Sequence, residues 1–138
     1  MEFSTIHWPA VLACIVFSMV SGSLWFGPKT FFPVWWRAIG KKETDLPDGK
    51  PMVWVLLIGG CAVQVVFMAM LVAAMGRMSG GATMASGVTL GLVLWVGVIA
   101  PCGLVNKLFS DQLKAWMIES GNHLVNFVVF GAILGAWH

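Results

Sequence analysis

Residues 113–137 read LKAWMIESGNHLVNFVVFGAILGAW, and this stretch decides how the rest of the chain must be arranged. It is long and apolar enough to cross a bilayer, for which a helix needs about 20 apolar residues. Yet its first half carries Glu119, Ser120, Asn122, His123 and Asn126. At about 100° per residue on a helix, Glu119, Asn122, His123 and Asn126 fall within an arc of roughly 100°. Polar groups at that depth are costly and turn toward the protein interior. The stripe is therefore a candidate site, and the helix that bears it needs neighbours.

The composition agrees with a membrane setting. Of 138 residues, 59% are hydrophobic and only 10% are charged, whereas soluble chains carry about 25% charged residues. So few charges could not cover a water-facing surface. The net charge of +2 includes no basic cluster interleaved with aromatics, so no nucleic-acid partner is expected. Cys14, Cys61 and Cys102 lie in three separate apolar segments. They form no CxxC pair and read as buried thiols rather than a disulfide framework.

Four stretches are long enough to span, at about 7–26, 52–75, 82–105 and 113–137. They make one all-α, polytopic membrane domain over 1–138. No basic residue precedes the first segment and no small-residue cleavage site closes it, so it reads as a retained membrane helix. Gly27-Pro28 ends it, because proline cannot continue the hydrogen-bond ladder. The loop 28–51 begins with the aromatic run TFFPVWWRAIG. Trp35 and Trp36 beside Arg37 suit a short interfacial helix in the headgroup region. Gly76-Arg77-Met78-Ser79-Gly80-Gly81 reads as a tight turn. Pro101-Cys102-Gly103 should kink the end of the third span.

Gly87 and Gly91 form a GxxxG step on the third span, and Gly131 and Gly135 form another on the fourth. Such steps let helix backbones approach closely in lipid. The second step could pack within the chain or between chains. A polar stripe and a glycine face on one helix ask for two neighbours, which leans toward a homo-oligomer, a dimer by the usual symmetry.

Lys29, Arg37, Lys41, Lys42, Lys50, Lys107 and Lys114 lie in or beside the first and third loops, and Arg77 alone lies in the second. The positive-inside rule then puts those two loops in the cytoplasm and both termini outside.

The ordered set His7-Trp8, Leu24-Trp25-Phe26-Gly27-Pro28, Gly87 to Gly97 with Trp95, Asn106 with Phe109, and Glu119 to Val125 resembles the bacterial membrane family catalogued as domain of unknown function 1761. The resemblance covers nearly the whole chain. It implies a small four-helix protein of the bacterial inner membrane and supplies no activity. The family pattern near the last helix is closer to Ile-Asn-x-Gly-Tyr-His. Here Glu119 stands at the asparagine and Asn122 replaces the aromatic, so this stripe is more polar than the family's.

Glu119 and His123 are one helical turn apart, within reach of each other. Burial disfavours the charged form of both, so a neutral pair or a shared proton suits them. With Asn122 and Asn126 they could handle a proton or small solute, or they could simply hold helices together. No facing acid or base stands out in the sequence. His7 and His138 should lie near the outer surface and His123 near the midplane, whereas a metal site within one chain needs ligands converging at one depth. Met68, Met70 and Met75 read as packing. No metal, haem or other cofactor is expected. No nucleophile with its own base, P-loop, HExxH or GxSxG pattern is present, so an enzyme is not expected. The expected role is structural or accessory, acting through a homo-oligomer or partner contacts. The alternative is an oligomeric transporter or channel for a small solute or proton.

Overall fold

The structure, a computed structural model, describes residues 3–137; His138 lies outside the described residues. Among these, five helices form and no strand. Four are long and apolar enough to cross a membrane: α1 Trp8–Trp25, α3 Pro51–Ser79, α4 Met84–Leu108 and α5 Leu113–Ala136. The fifth, α2 Phe32–Ala38, is seven residues long and follows α1.

Local chemistry sets the helix ends. His7 caps α1, its Nδ1 accepting the Ala10 N–H at 3.3 Å, and Pro9 occupies the first turn, where no N–H is needed. At the other end the Thr30 hydroxyl lies 2.6 Å and 2.8 Å from the carbonyl oxygens of Leu24 and Trp25. It satisfies carbonyls that Pro28 leaves without a helical partner. Pro51 starts α3 from the first-turn position.

The turn between the second and third spans comes later than the sequence suggests. Helix α3 continues through Gly76, Arg77 and Met78 and stops only at Gly80, which takes φ +81°. The Gly81 N–H closes back on the Gly76 carbonyl at 2.8 Å. This is a Schellman ending, which needs a left-handed residue and hence glycine. Gly76, a single glycine inside a helical run, does not stop it. Thr83 then caps α4 in a reciprocal box with Ser86.

Pro101 acts differently from a simple end-of-helix kink. Helix α4 carries a π turn at Trp95–Ile99, with the Ala100 N–H bonded to the Trp95 carbonyl. It then runs past Pro101 and Gly103 to Leu108. A proline removes one ladder bond and its ring crowds the preceding turn. The wider turn just before it accommodates both.

Helix α5 contacts every other helix, most extensively α4. The α4–α5 seam is built on glycine. A Cβ added at Gly87 would land on the Gly131 carbonyl oxygen, and one at Gly91 on that of Phe127. Gly131 faces Gly87 in return, and Gly135 faces the Thr83 carbonyl. The two GxxxG steps thus pack on each other inside one chain, so the second step asks for no second chain. Gly97 is not part of this seam, since nothing lies within 4 Å of its missing side chain. The core lies toward the terminal half of the bundle, where Cys14, Val65, Met68, Val72, Phe130 and Leu134 are buried. Cys61 is buried too, but Cys102 is exposed.

The other half of the bundle is looser. All ten residues 51–60 of α3 are exposed. There α3 stands away from α1 and α5, leaving a cavity between the three.

Candidate functional site

The polar stripe of α5 divides into two parts. Glu119, two turns in from the loop end, meets Lys107 from the last turn of α4, with Nζ to Oε1 at 3.2 Å. Trp35 of α2 donates its indole N–H to the same oxygen at 2.8 Å. Lys107 also reaches Gln112 Oε1 at 3.3 Å, and the Gln112 amide approaches the Ile39 carbonyl at 3.5 Å. The ion pair is about three-quarters buried on both sides. Glu119 therefore ties α2, α4 and α5 together, and among the described residues it makes no hydrogen bond to His123. Lys107 is the facing base absent from the sequence reading. It lies twelve residues upstream, and only the tight 109–112 connection folds it back onto α5.

Trp36 and Arg37, the other aromatic-run candidates, lie apart from the stripe. Trp36 is buried, donates to the Lys42 carbonyl at 3.0 Å and stacks on Phe32. Arg37 is exposed and approaches Glu43 at 3.7 Å.

Two further indoles fasten the turn above Glu119. Trp25 of α1 donates to the Ile118 carbonyl and Trp95 of α4 to the Ser120 carbonyl, both at 2.9 Å. A carbonyl has a second lone pair free after its helical bond, so these bonds join helices without breaking α5. Gly121 makes room for this. A Cβ there would sit 3.0 Å from the Trp25 ring.

Farther along α5, Asn126 donates to Asn122 Oδ1 at 3.2 Å, and Asn122 donates to Ser21 Oγ on α1 at 3.2 Å. Both asparagines are buried. Asn126 Oδ1 is buried without a partner, as is the Ser120 hydroxyl. His123 lies half-buried between two cavities. The larger, about 530 Å³, is bounded by α1, α3 and α5 and lined by Ser18, Gln64, Asn122, His123 and Asn126 together with apolar walls. The smaller, about 220 Å³, lies between α4 and α5 and is lined by Cys102, Trp116, Glu119, Ser120 and His123. Val98 and Ile99 of the π turn border it.

Among the described residues no three His, Cys, Asp or Glu side chains cluster as metal ligands. His7 lies at the opposite end, its ring 5.1 Å from that of Trp137. Neither Ser18, one of three serines in the last turns of α1, nor Gln64, a lone polar residue in an apolar run, stands out in the sequence. The only signal was that a glutamine in the middle of a span is costly without a purpose.

Among the described residues the fold is all-helical, and four helices long and apolar enough to cross a bilayer are the make-up of a multi-pass membrane protein. The chain belongs to the family described as protein of unknown function (DUF1761), whose profile matches residues 9–135. No curated protein and no solved structure matches the chain.

Proposed function

We propose that this protein is a bilayer-embedded carrier or receptor for a small uncharged molecule, held in the cavity between α1, α3 and α5. One observation carries the reading. Ser18, Gln64 and His123 line that cavity, and none of these three side chains has a hydrogen-bond partner among the described residues. Polar groups that serve only to join helices are paired with one another. Open ones, clustered at mid-length of spanning helices, need water or a ligand. Glu119 supports a different role, since Lys107 and Trp35 already occupy it, so proton handling by a Glu119–His123 pair is not part of this proposal. In this reading the basic loops lie on the cytoplasmic side of a bacterial inner membrane with α2 at its surface, and the cavity runs toward that side from Gln64 and Asn126 to Phe26 and Trp54.

The test is hydration. Gly60 lines the cavity, and nothing lies within 4 Å of its missing side chain. Gly60→Cys, in a chain with Cys14, Cys61 and Cys102 changed to alanine, should react with a membrane-impermeant, charged thiol reagent added at the loop side. A thiol that stays unmodified would mean a dry, sealed gap, and the reading would fall.

A second reading, an accessory protein working through copies of itself or a partner, is favoured by the bare half of α3 from 51 to 60. Cross-linking in native membranes that returned only monomer, with no partner captured, would count against it.

A further inference from the structure

We propose that Phe26 gates the loop end of the cavity between α1, α3 and α5, and that the Trp35–Glu119 hydrogen bond is the latch that holds this gate shut. The inference rests on the cavity reading above and names how access to the cavity is controlled.

The gate sits where the chain can move. Phe26 and Trp54 line the cavity from the end of α1 and the start of α3, the two helix ends nearest the loop 28–51. Phe26 caps α1 at φ −96° and ψ 32°, outside helical geometry, and Gly27-Pro28 follows it. No further helical turn holds it, and its ring is only half-buried. Side chains at helix ends with few buried contacts shift more readily than those in mid-helix.

Trp35 is placed to hold that ring. The two rings meet edge to face, with centroids 5.1 Å apart and planes at 64°. No residue of α2 lines the cavity, so Trp35 backs the gate from outside. Its indole N–H donates to Glu119 Oε1 at 2.8 Å, and a bond to a carboxylate is among the stronger kinds. Lys107, at 3.2 Å from the same oxygen, fixes the catch in turn. None of the residues lining the cavity is Asp, Glu, Lys or Arg. The ion pair therefore acts on the cavity only through Trp35 and Phe26.

The remaining holds on α2 are weak enough for the bond to release it. Among the described residues this is the one side-chain hydrogen bond from α2 to a spanning helix. Trp36 and Arg37 bond within α2 and to the loop after it. Gln112 reaches the Ile39 carbonyl only at 3.5 Å, beyond the usual range. Residues 40–50 are all exposed, so that connection offers little resistance. The start of α2 stays tethered, with the Phe31 and Phe32 N–H groups on the Trp25 and Gly27 carbonyls. The helix can thus swing about one end. Where one bond separates a shut from an open state, its loss raises the open fraction by the worth of that bond.

The experiment reads a rate. Gly60→Cys in the full chain, with Cys14, Cys61 and Cys102 changed to alanine, is labelled by a membrane-impermeant, charged thiol reagent from the loop side. Trp35→Phe keeps a ring against Phe26 and removes the donor. It should speed labelling at least about tenfold, the value of one hydrogen bond to a charged group. Glu119→Gln keeps an acceptor and should speed it less. Phe26→Ala should label fast by itself, and adding Trp35→Phe should then change nothing, because the latch acts through the gate. Trp25→Phe is the structural control. It also removes an indole bond to α5, at 2.9 Å from the Ile118 carbonyl, but Trp25 does not line the cavity. Its labelling rate should match that of the unaltered tryptophan.

Equal rates with and without Trp35→Phe, an equal rise in Trp25→Phe, or a full Trp35→Phe effect on top of Phe26→Ala would overturn the latch. No acceleration in Phe26→Ala would overturn the gate whatever Trp35→Phe does. In each of these cases a labelled Gly60→Cys leaves the cavity reading standing. A thiol unlabelled in every background, Phe26→Ala included, removes both.

Discussion

Lys107 Nζ and Glu119 Oε1 lie 3.2 Å apart, with the Trp35 indole N–H on the same carboxylate oxygen at 2.8 Å. One acid thus serves a cation from α4 and a donor from α2. Removing it should depend on what replaces it. Glu119→Gln keeps an acceptor for Trp35 and loses only the ionic part. Glu119→Leu leaves a largely buried ammonium alone. The expected costs are about 1 kcal/mol for Gln and about 2–3 kcal/mol for Leu, below the fully buried range because the pair is partly wet. Unfolding free energies from steric trapping in bicelles would measure both. Equal, negligible losses would mean that the pair does not form.

The glycine seam makes a sharper contrast. At Gly87 and Gly131 an added methyl group meets the opposing backbone carbonyl, which cannot rotate away. At Gly22 and Gly60 it meets nothing within 4 Å. Gly87→Ala and Gly131→Ala should each cost at least about 1–3 kcal/mol through overpacking. Gly22→Ala and Gly60→Ala should be neutral or stabilising by up to about 1 kcal/mol, through helix propensity. The same unfolding assay on all four decides it. A Gly131→Ala chain as stable as Gly60→Ala would refute the intramolecular seam.

These four glycines also show what the sequence could and could not tell. Periodicity marks Gly87, Gly91, Gly131 and Gly135 as close-packing positions, because that depends only on spacing along one helix. Which faces meet depends on rotation and tilt, so spacing left open whether the second step pairs within the chain or between chains. The same limit applies to the site. The α5 stripe is visible because its residues sit one turn apart. Lys107, Trp35, Ser18 and Gln64 reach it from four other helices, and no local pattern links them to it. The π turn at Trp95–Ile99 is a compromise around Pro101 that no local pattern announces.

Trp25 and Trp95 fasten two different helices to one turn of α5, through the carbonyls of Ile118 and Ser120. Phenylalanine keeps most of the ring and removes the donor. Trp25→Phe and Trp95→Phe should each cost about 0.5–1.5 kcal/mol. The acceptors differ and the rings approach from separate helices, so the double variant should be additive to within about 0.5 kcal/mol. Strong coupling between them would instead mean that the two helices move on α5 as one unit.

Ser120 offers the most direct reading of whether the polar groups of α5 are structural or functional. Its carbonyl is held by Trp95, but its hydroxyl is buried beside the smaller cavity with no partner. An unpaired buried hydroxyl costs stability, so a purely structural helix gains by losing it. Ser120→Ala should therefore raise the unfolding free energy by up to about 1 kcal/mol, a small change because the methyl side chain fits the same space. Asn126→Ala should do the opposite, since it breaks the donor link to Asn122 and opens a gap in the core, at about 1–3 kcal/mol. Measured together in ligand-free nanodiscs, opposite signs mark Asn126 as a packing residue and Ser120 as a group retained at the expense of stability. A destabilised Ser120→Ala would mean that water already completes this hydroxyl. The smaller cavity would then be hydrated at rest, with its waters part of the fold.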